Sequence, residues 1–228
     1  MSKRLLIYCE GQTEEMVVER LIRNHLSMYG VKVERPVLAA TSMNPAGQRG
    51  GFVNWEAIRF DLIGLMQIDR DPNLRVTTLL DAYAMPQAVL ALAGFTAPVS
   101  EVKDIEKVER AIEQELKDPR FTAYLQRHEL EALLLADCDA LARVFHRHQS
   151  GLAQLRDAIA GFGNTEDINH GATTHPSARL ADAVEGYEYL KASNAYFVLA
   201  EAGFEVVRRK CPRFDAWMTH WEQWGVQR

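Results

Sequence analysis

Arg4-Leu5-Leu6-Ile7-Tyr8-Cys9-Glu10-Gly11-Gln12-Thr13-Glu14-Glu15 decides the fold. Leu5 to Cys9 is short, apolar and free of breakers, the pattern of a strand buried on both faces. Gly11 permits a tight exit, Thr13 can cap a helix, and Met16, Val17, Leu21 and Ile22 recur at helical spacing. Glu10 therefore ends a central strand at its carboxyl edge, where open α/β sheets hold their ligands. Glu14 stands one helical turn further on. A carboxylate in that position suits a hard metal ion.

Working outward, the first helix extends over about 13–28 and a second strand over Val31 to Ala40. Thr41 to Gly51 holds Asn44, Pro45 and three glycines around Arg49, a loop long enough to close over or touch a substrate. Trp55, Ile58, Leu62, Leu65 and Met66 form a helical face. Asp71-Pro72-Asn73 then turns the chain into Leu74 to Leu80, a buried strand that ends in Asp81. Strand, helix, strand, helix, strand implies crossovers and a parallel sheet. Asp104 to Lys117 is a charged amphipathic helix. Phe121, Ala123 and Leu125 alternate with Thr122, Tyr124 and Gln126, a strand with one drier face. His128-Glu129-Leu130-Glu131 leads into helices over about 138–148, 151–161, 176–184, 194–202 and 205–224. A boundary near residue 137 separates an α/β part, 1–137, from a mostly helical part, 138–228, which packs on it either as a separate domain or as part of a single one.

Composition narrows the function. The chain has 228 residues, 47% of them hydrophobic, which is enough for a large core. No apolar run has the length to span a bilayer, and no signal peptide precedes the first strand. The three cysteines, Cys9, Cys138 and Cys211, lie too far apart in sequence for a knuckle or redox motif and fit a reducing, cytoplasmic setting. A net charge of −5 disfavours a binder that relies on phosphate neutralisation alone. Neither a Gly-x-x-x-x-Gly-Lys-Ser/Thr loop nor a Gly-x-Gly-x-x-Gly fingerprint occurs.

The candidate chemistry rests on acids. Glu10 and Asp81 end two strands at the same edge of the sheet, and Glu14 comes next on the helix. Oxygen ligands without paired cysteines suit Mg2+ or Mn2+. Glu129 and Glu131 sit at a strand-to-helix corner that could offer either one to the same metal and His128 to a substrate oxygen; the alternative is local pairing of His128 with Glu131. His175-Pro176-Ser177-Ala178-Arg179 opens a helix whose Ser and Arg could face an anion. Arg179 and Lys191 are candidate phosphate contacts, with Arg49 on the loop. Arg208, Arg209, Lys210 and Arg213 make the densest basic patch. Trp217, Trp221 and Trp224 come after it, as core or as a protein interface.

Cys9-Glu10-Gly11-Gln12-Thr13-Glu14, Leu79-Leu80-Asp81-Ala82-Tyr83-Ala84-Met85-Pro86, His128-Glu129-Leu130-Glu131-Ala132-Leu133-Leu134, His175-Pro176-Ser177-Ala178-Arg179 and Lys210-Cys211-Pro212-Arg213-Phe214, in this order, resemble the bacterial domain of unknown function 4276 family. That family looks like a member of the Toprim superfamily, similar to the nuclease domains of overcoming-lysogenisation-defect enzymes. The resemblance implies a Toprim-like Rossmannoid parallel sheet flanked by helices. It also implies an ATPase partner of the AAA or ABC kind and a part in defence against phage or other foreign DNA. Glu10 and Glu14 match the Toprim glutamate and the acid after it, and Asp81 matches the first aspartate of Asp-x-Asp. Tyr83 replaces the second aspartate and removes one metal ligand, for which Glu129 or Glu131 could compensate. The expected activity is a Mg2+- or Mn2+-dependent phosphodiesterase acting on nucleic acid, DNA before RNA. Glu10, Asp81, Glu131 and His128 are its expected catalytic residues, Glu10, Glu14, Asp81 and Glu129 its metal ligands. A homodimer is compatible with this reading. The alternative is a non-catalytic module that docks on an ATPase.

Overall fold

The computed structural model describes residues 2–39, 54–83, 85–168, 171 and 173–227. The chain divides into two compact units, Met1–Gln126 with Trp221–Arg228, and Arg127–His220.

The first unit is built on a six-stranded sheet in which every pairing is parallel. Its strands are β1 (Lys3–Cys9), β2 (Val31–Val33), β3 (Val37–Leu38), β4 (Leu74–Asp81), β5 (Phe121–Thr122) and β6 (Leu125–Gln126). β1 pairs with β2 and β3 on one side and with β4 on the other, from Arg4↔Leu74 to Cys9↔Leu79. β4 in turn pairs with β5 and β6. The chain leaves β1 towards β2 and returns across it to β4, so the carboxyl ends of β1 and β4 form the topological switch point.

Leu5, Ile7, Tyr8 and Cys9 are fully buried, as a central parallel strand requires. Tyr8 shares a core with Val76 and Leu80 of β4, with Trp55, Ile58 and Leu62 of helix α3 (Trp55–Ile68) and with Ile105, Val108 and Ile112 of α5 (Val102–Leu116). The opposite face carries Leu5, Ile7 and Cys9. Against it runs a continuous helical segment of α1 (Gln12–Val17), a π-helical turn (Val18–Ile22) and α2 (Arg23–Ser27), whose Val17, Val18, Ile22 and Leu26 are fully buried. The wider turn moves the buried stripe from the expected Met16 and Leu21 to Val18 and Leu26. A short helix, α4 (Gln87–Leu92), was not anticipated from the residue pattern.

Two strand expectations need correction. The second strand is two short ones, because Pro36 between them has no N–H to donate to a ladder. The strand expected from Phe121 to Gln126 is also two, and Thr78 spans its break: the Thr78 hydroxyl donates to the Tyr124 carbonyl at 2.8 Å and accepts the Tyr124 N–H at 2.9 Å. Both faces of that strand are buried, with the Tyr124 hydroxyl donating to Gln126 Oε1 at 2.7 Å. The compact units divide in sequence after Gln126, and Leu130 to Leu135 are buried in the helical one. The tail at Trp221–Arg228 belongs with the sheet: Lys3 Nζ is hydrogen-bonded to the Trp224 carbonyl, and Lys3 and Arg75 both lie over the Trp224 ring.

The second unit holds α6 (Glu131–Leu134), α7 (Cys138–Val144), α8 (Gln149–Ile159), a 3₁₀ turn (Thr165–Asp167), α9 (Pro176–Ala183), α10 (Tyr187–Ala202), α11 (Phe204–Lys210) and the start of α12 (Pro212–Val226). The single helix expected over 205–224 is broken at Cys211-Pro212, where proline takes the first position of α12. Among the described residues, no helix is long and apolar enough to cross a membrane.

Candidate functional site

Glu10 comes directly after the last residue of β1, and its N–H still donates to the Leu79 carbonyl at 3.3 Å. The next rung of the parallel ladder is closed by the side chain: Glu10 Oε2 accepts the Asp81 N–H at 2.9 Å. A carboxylate thus stands where the Glu10 carbonyl would continue the sheet. It ends the ladder and is held against the backbone of Asp81, with both residues part-exposed at the switch point.

Glu14 is fixed just beyond. Its Oε2 accepts the Gly11 N–H at 2.9 Å, closing the first turn of α1 from inside the helix. Gly11, not Thr13, is therefore the N-cap, and Thr13 is buried in the first turn. A Cβ on Gly11 would sit 3.3 Å from Glu14 Oε2, a tight contact that the glutamate side chain would have to relax. Burial chiefly, with the Glu14 charge second, pushes the neighbouring Cys9 thiol well up, so Cys9 is core and no nucleophile. The structure holds the Glu10 carboxylate on the Asp81 backbone at adjacent strand ends and the Glu14 carboxylate on the Gly11 N–H one residue on.

The other predicted acids lie in the second unit and have different surroundings. Glu129 accepts three donors: its Oε1 takes the Ser177 hydroxyl at 2.8 Å, and its Oε2 takes the Ser177 N–H at 2.8 Å and meets His175 Nδ1 at 3.0 Å. It is the anion at the N-terminus of α9 that the sequence anticipated there, supplied by the chain itself. Both oxygens are engaged in holding the helix. Glu131 is buried under Tyr187, whose hydroxyl donates to Glu131 Oε1 at 3.3 Å, and Lys191 Nζ lies 3.6 Å away. Burial raises its carboxyl above the ordinary value against the pull of Lys191. His128 is buried with φ of +62°, a conformation rarely adopted by a non-glycine residue.

The expected phosphate contacts are also engaged. Arg179 Nε donates to the Thr174 carbonyl at 2.6 Å, and Lys191 pairs with Glu188 at 3.6 Å as well as with Glu131. Arg49 lies outside the described residues. In the basic patch Arg208 is paired with Asp215 and donates to Thr219 Oγ1 at 2.9 Å, so part of the patch is internally neutralised.

Glu166 was not singled out from sequence. It is fully buried and accepts the Arg213 N–H at 2.8 Å and the Phe214 N–H at 3.2 Å, at the start of α12. Two helices in this unit begin with proline after a residue that is a poor cap, His175 or Cys211, and each takes a distant glutamate instead. The signal was present: a proline-led helix start without Ser, Thr, Asp or Asn before it leaves N–H groups that need an acceptor from elsewhere.

Among the described residues, no group of three or more His, Cys, Asp or Glu side chains is arranged to hold a metal ion. The switch point offers Glu10, Asp81 and the nearby Glu14. That set does not fit an all-protein cage. It does fit Mg2+, which commonly takes one or two carboxylates and completes its shell with water and substrate phosphate.

No curated protein matches this sequence. Among solved structures, the chain is similar to the C-terminal region of the Burkholderia pseudomallei OLD protein, at 15% identity and a TM-score of 0.45, covering 99% of each chain. It is also similar to the C-terminal region of the Xanthomonas campestris pv. campestris OLD protein, at 14% identity and a TM-score of 0.41, covering 96% of this chain and 98% of that one. Residues 9–222 match the family described as Domain of unknown function (DUF4276), and the chain belongs to that family.

Proposed function

We propose that the chain is a Mg2+- or Mn2+-dependent phosphodiesterase that acts on nucleic acid, DNA before RNA, alongside an ATPase of the AAA or ABC kind. One observation carries the reading: the Glu10 carboxylate is held on the Asp81 backbone at the carboxyl ends of two adjacent central strands. Ligands of open α/β sheets bind in this crevice. Glu10 and Asp81 would hold the ion, with Glu14 beside them. Bound there, a divalent ion supplies charge stabilisation to a phosphoryl group and lowers the pKa of a coordinated water. The contribution of the chain is to hold Glu10 at a fixed place through the ladder hydrogen bond and to lock the first turn of α1 through Gly11 and Glu14. The resemblance of the sequence blocks to Toprim nucleases supports the same class and the ATPase partner.

The test is incubation of the chain with plasmid, single-stranded DNA and RNA under Mg2+ or Mn2+, beside Glu10→Ala and Asp81→Ala. Cleavage should fall by at least about 100-fold in either variant, as expected for loss of a charge-stabilising group. Equal cleavage by all three proteins removes the assigned site. The absence of a second aspartate, with Tyr83 in its place, favours a second reading as a non-catalytic module docked on an ATPase. Calorimetry separates the two: Mn2+ affinity that is lost in Glu10→Ala supports the enzyme, and no affinity in the wild type supports the module.

A further inference from the structure

Helix α5 supplies acceptors to a row of backbone N–H groups at the border of the sheet. Among the described residues, β5 and β6 pair with β4 alone. The backbone groups of a strand point alternately to its two sides, and the even-numbered residues here face β4. The Arg120 and Gln126 carbonyls accept the Val76 and Ala82 N–H groups at 2.9 and 2.8 Å, and Tyr124 is bonded to the Thr78 hydroxyl. The odd-numbered residues face the other way, and the chain provides each of their N–H groups with an acceptor. Phe121 donates to the Asp118 carbonyl at 3.0 Å, Ala123 to Glu113 Oε1 at 3.0 Å and Leu125 to Glu109 Oε1 at 2.8 Å.

The match is one of spacing. Residues four apart on a helix stand roughly 5–6 Å from one another, and residues two apart on a strand about 6.7 Å. Two glutamates one turn apart therefore span two outward N–H groups, with helix and strand running in opposite directions. Asp104, Glu106 and Glu115 of the same helix pair with the cations Lys107, Arg110 and Arg59. Glu109 and Glu113 take main-chain N–H groups, in the row that would template a further strand. Burial pushes the Glu113 carboxyl above its ordinary value, and the Ala123 N–H and Arg110 pull it back. The row is also its own complement: laid antiparallel on a second copy, its N–H and carbonyl groups exchange hydrogen bonds about a two-fold axis. We propose that Glu109 and Glu113 are an edge guard, standing in place of a further strand, and that without them residues 121–125 of a second copy of the chain add to this border. The device is independent of the metal reading: Glu10, Glu14 and Asp81 take no part in it.

Amide hydrogen exchange of the full chain, read by NMR, tests the guard, and sedimentation velocity tests what it guards against. Glu113→Ala should speed exchange at Ala123 by about 10-fold or more and leave Leu125 slow; Glu109→Ala should do the reverse. Glutamine at either position keeps an acceptor oxygen and should stay close to the wild type. The double variant Glu109→Ala/Glu113→Ala, with folding checked by circular dichroism, should sediment as a larger species than the wild type and gain the infrared signal of intermolecular β-structure. The double glutamine variant should do neither. Exchange unchanged by either alanine overturns the proposal, and this reading decides where the double alanine variant does not fold. A folded double alanine variant that sediments like the wild type, or that grows without the β-signal, overturns it too.

Discussion

The two units use glutamate in opposite ways. In the sheet unit, Glu10 is part-exposed at a strand end, where its Oε2 takes a backbone N–H that a carbonyl would otherwise accept. In the helical unit, Glu129 and Glu166 have both oxygens engaged by donors at the start of a proline-led helix. A buried carboxylate with its oxygens engaged is part of the framework, because the helix N-terminus stabilises it as an anion and it satisfies N–H groups that the helix cannot. A carboxylate part-exposed at the switch point of a sheet stands where solvent can reach it, and its donor belongs to the ladder rather than to a helix start. Acidity and sequence context look alike in the two cases, and only the donors around each carboxylate tell them apart.

Stability measurements can break this contrast. Glu166→Ala removes two charge-assisted hydrogen bonds from a fully buried site and leaves the Arg213 and Phe214 N–H groups without their acceptor. It should cost about 3 kcal/mol in urea unfolding followed by far-ultraviolet circular dichroism. Glu10→Ala should cost about 1 kcal/mol in the same assay, as one N–H at a part-exposed edge can turn to water. A larger loss for Glu10→Ala than for Glu166→Ala would make Glu10 the framework residue.

A milder change sharpens the point within one site. Glu129→Gln keeps an acceptor oxygen for Ser177 but loses the charge that faces the α9 N-terminus and His175. The expected cost is about 1.5 kcal/mol, close to the worth of a charge at a helix end plus one strong hydrogen bond. The nucleic-acid cleavage proposed for the sheet unit, measured on the folded variant, should match that of the wild type. A variant of wild-type stability that has lost Mn2+ binding would return Glu129 to the metal.

The same physics explains what could be read in advance. β1 and β4 were legible because Leu5 to Cys9 is an unbroken apolar run and Leu74 to Leu80 is rich in Leu, Val and Thr, and Glu10 and Asp81 were legible because each follows directly on its run. Pairing at the edges was not. Whether residues 31–40 and 121–126 make one strand each depends on Pro36 and on the hydroxyl of Thr78, a residue more than forty positions from the break that it bridges. Glu129 was visible as an acid in a motif, but its partners His175 and Ser177 lie in a different block, and short sequence spacing says nothing about such pairs. Glu166 was hidden for the converse reason, as an acid in a polar loop with no pattern around it.

Glu131 gives the smallest expected effect and a signed one. Burial raises its carboxyl above 4.5, the ordinary value, while Lys191 pulls the other way. An acid with a raised value in the folded state holds its proton more tightly there than in the unfolded chain. Its stabilising contribution is complete below 4.5 and is lost as pH rises through the raised folded value. Glutamine at this position cannot ionise, so the stability of the wild type relative to Glu131→Gln should fall as pH rises from acid towards neutral. Lys191 offsets part of the change. Lys191→Met should make the decline steeper by removing that offset. A difference that grows in favour of the wild type with rising pH would mean that the lysine outweighs burial, and Glu131 would then be a stable anion like Glu129.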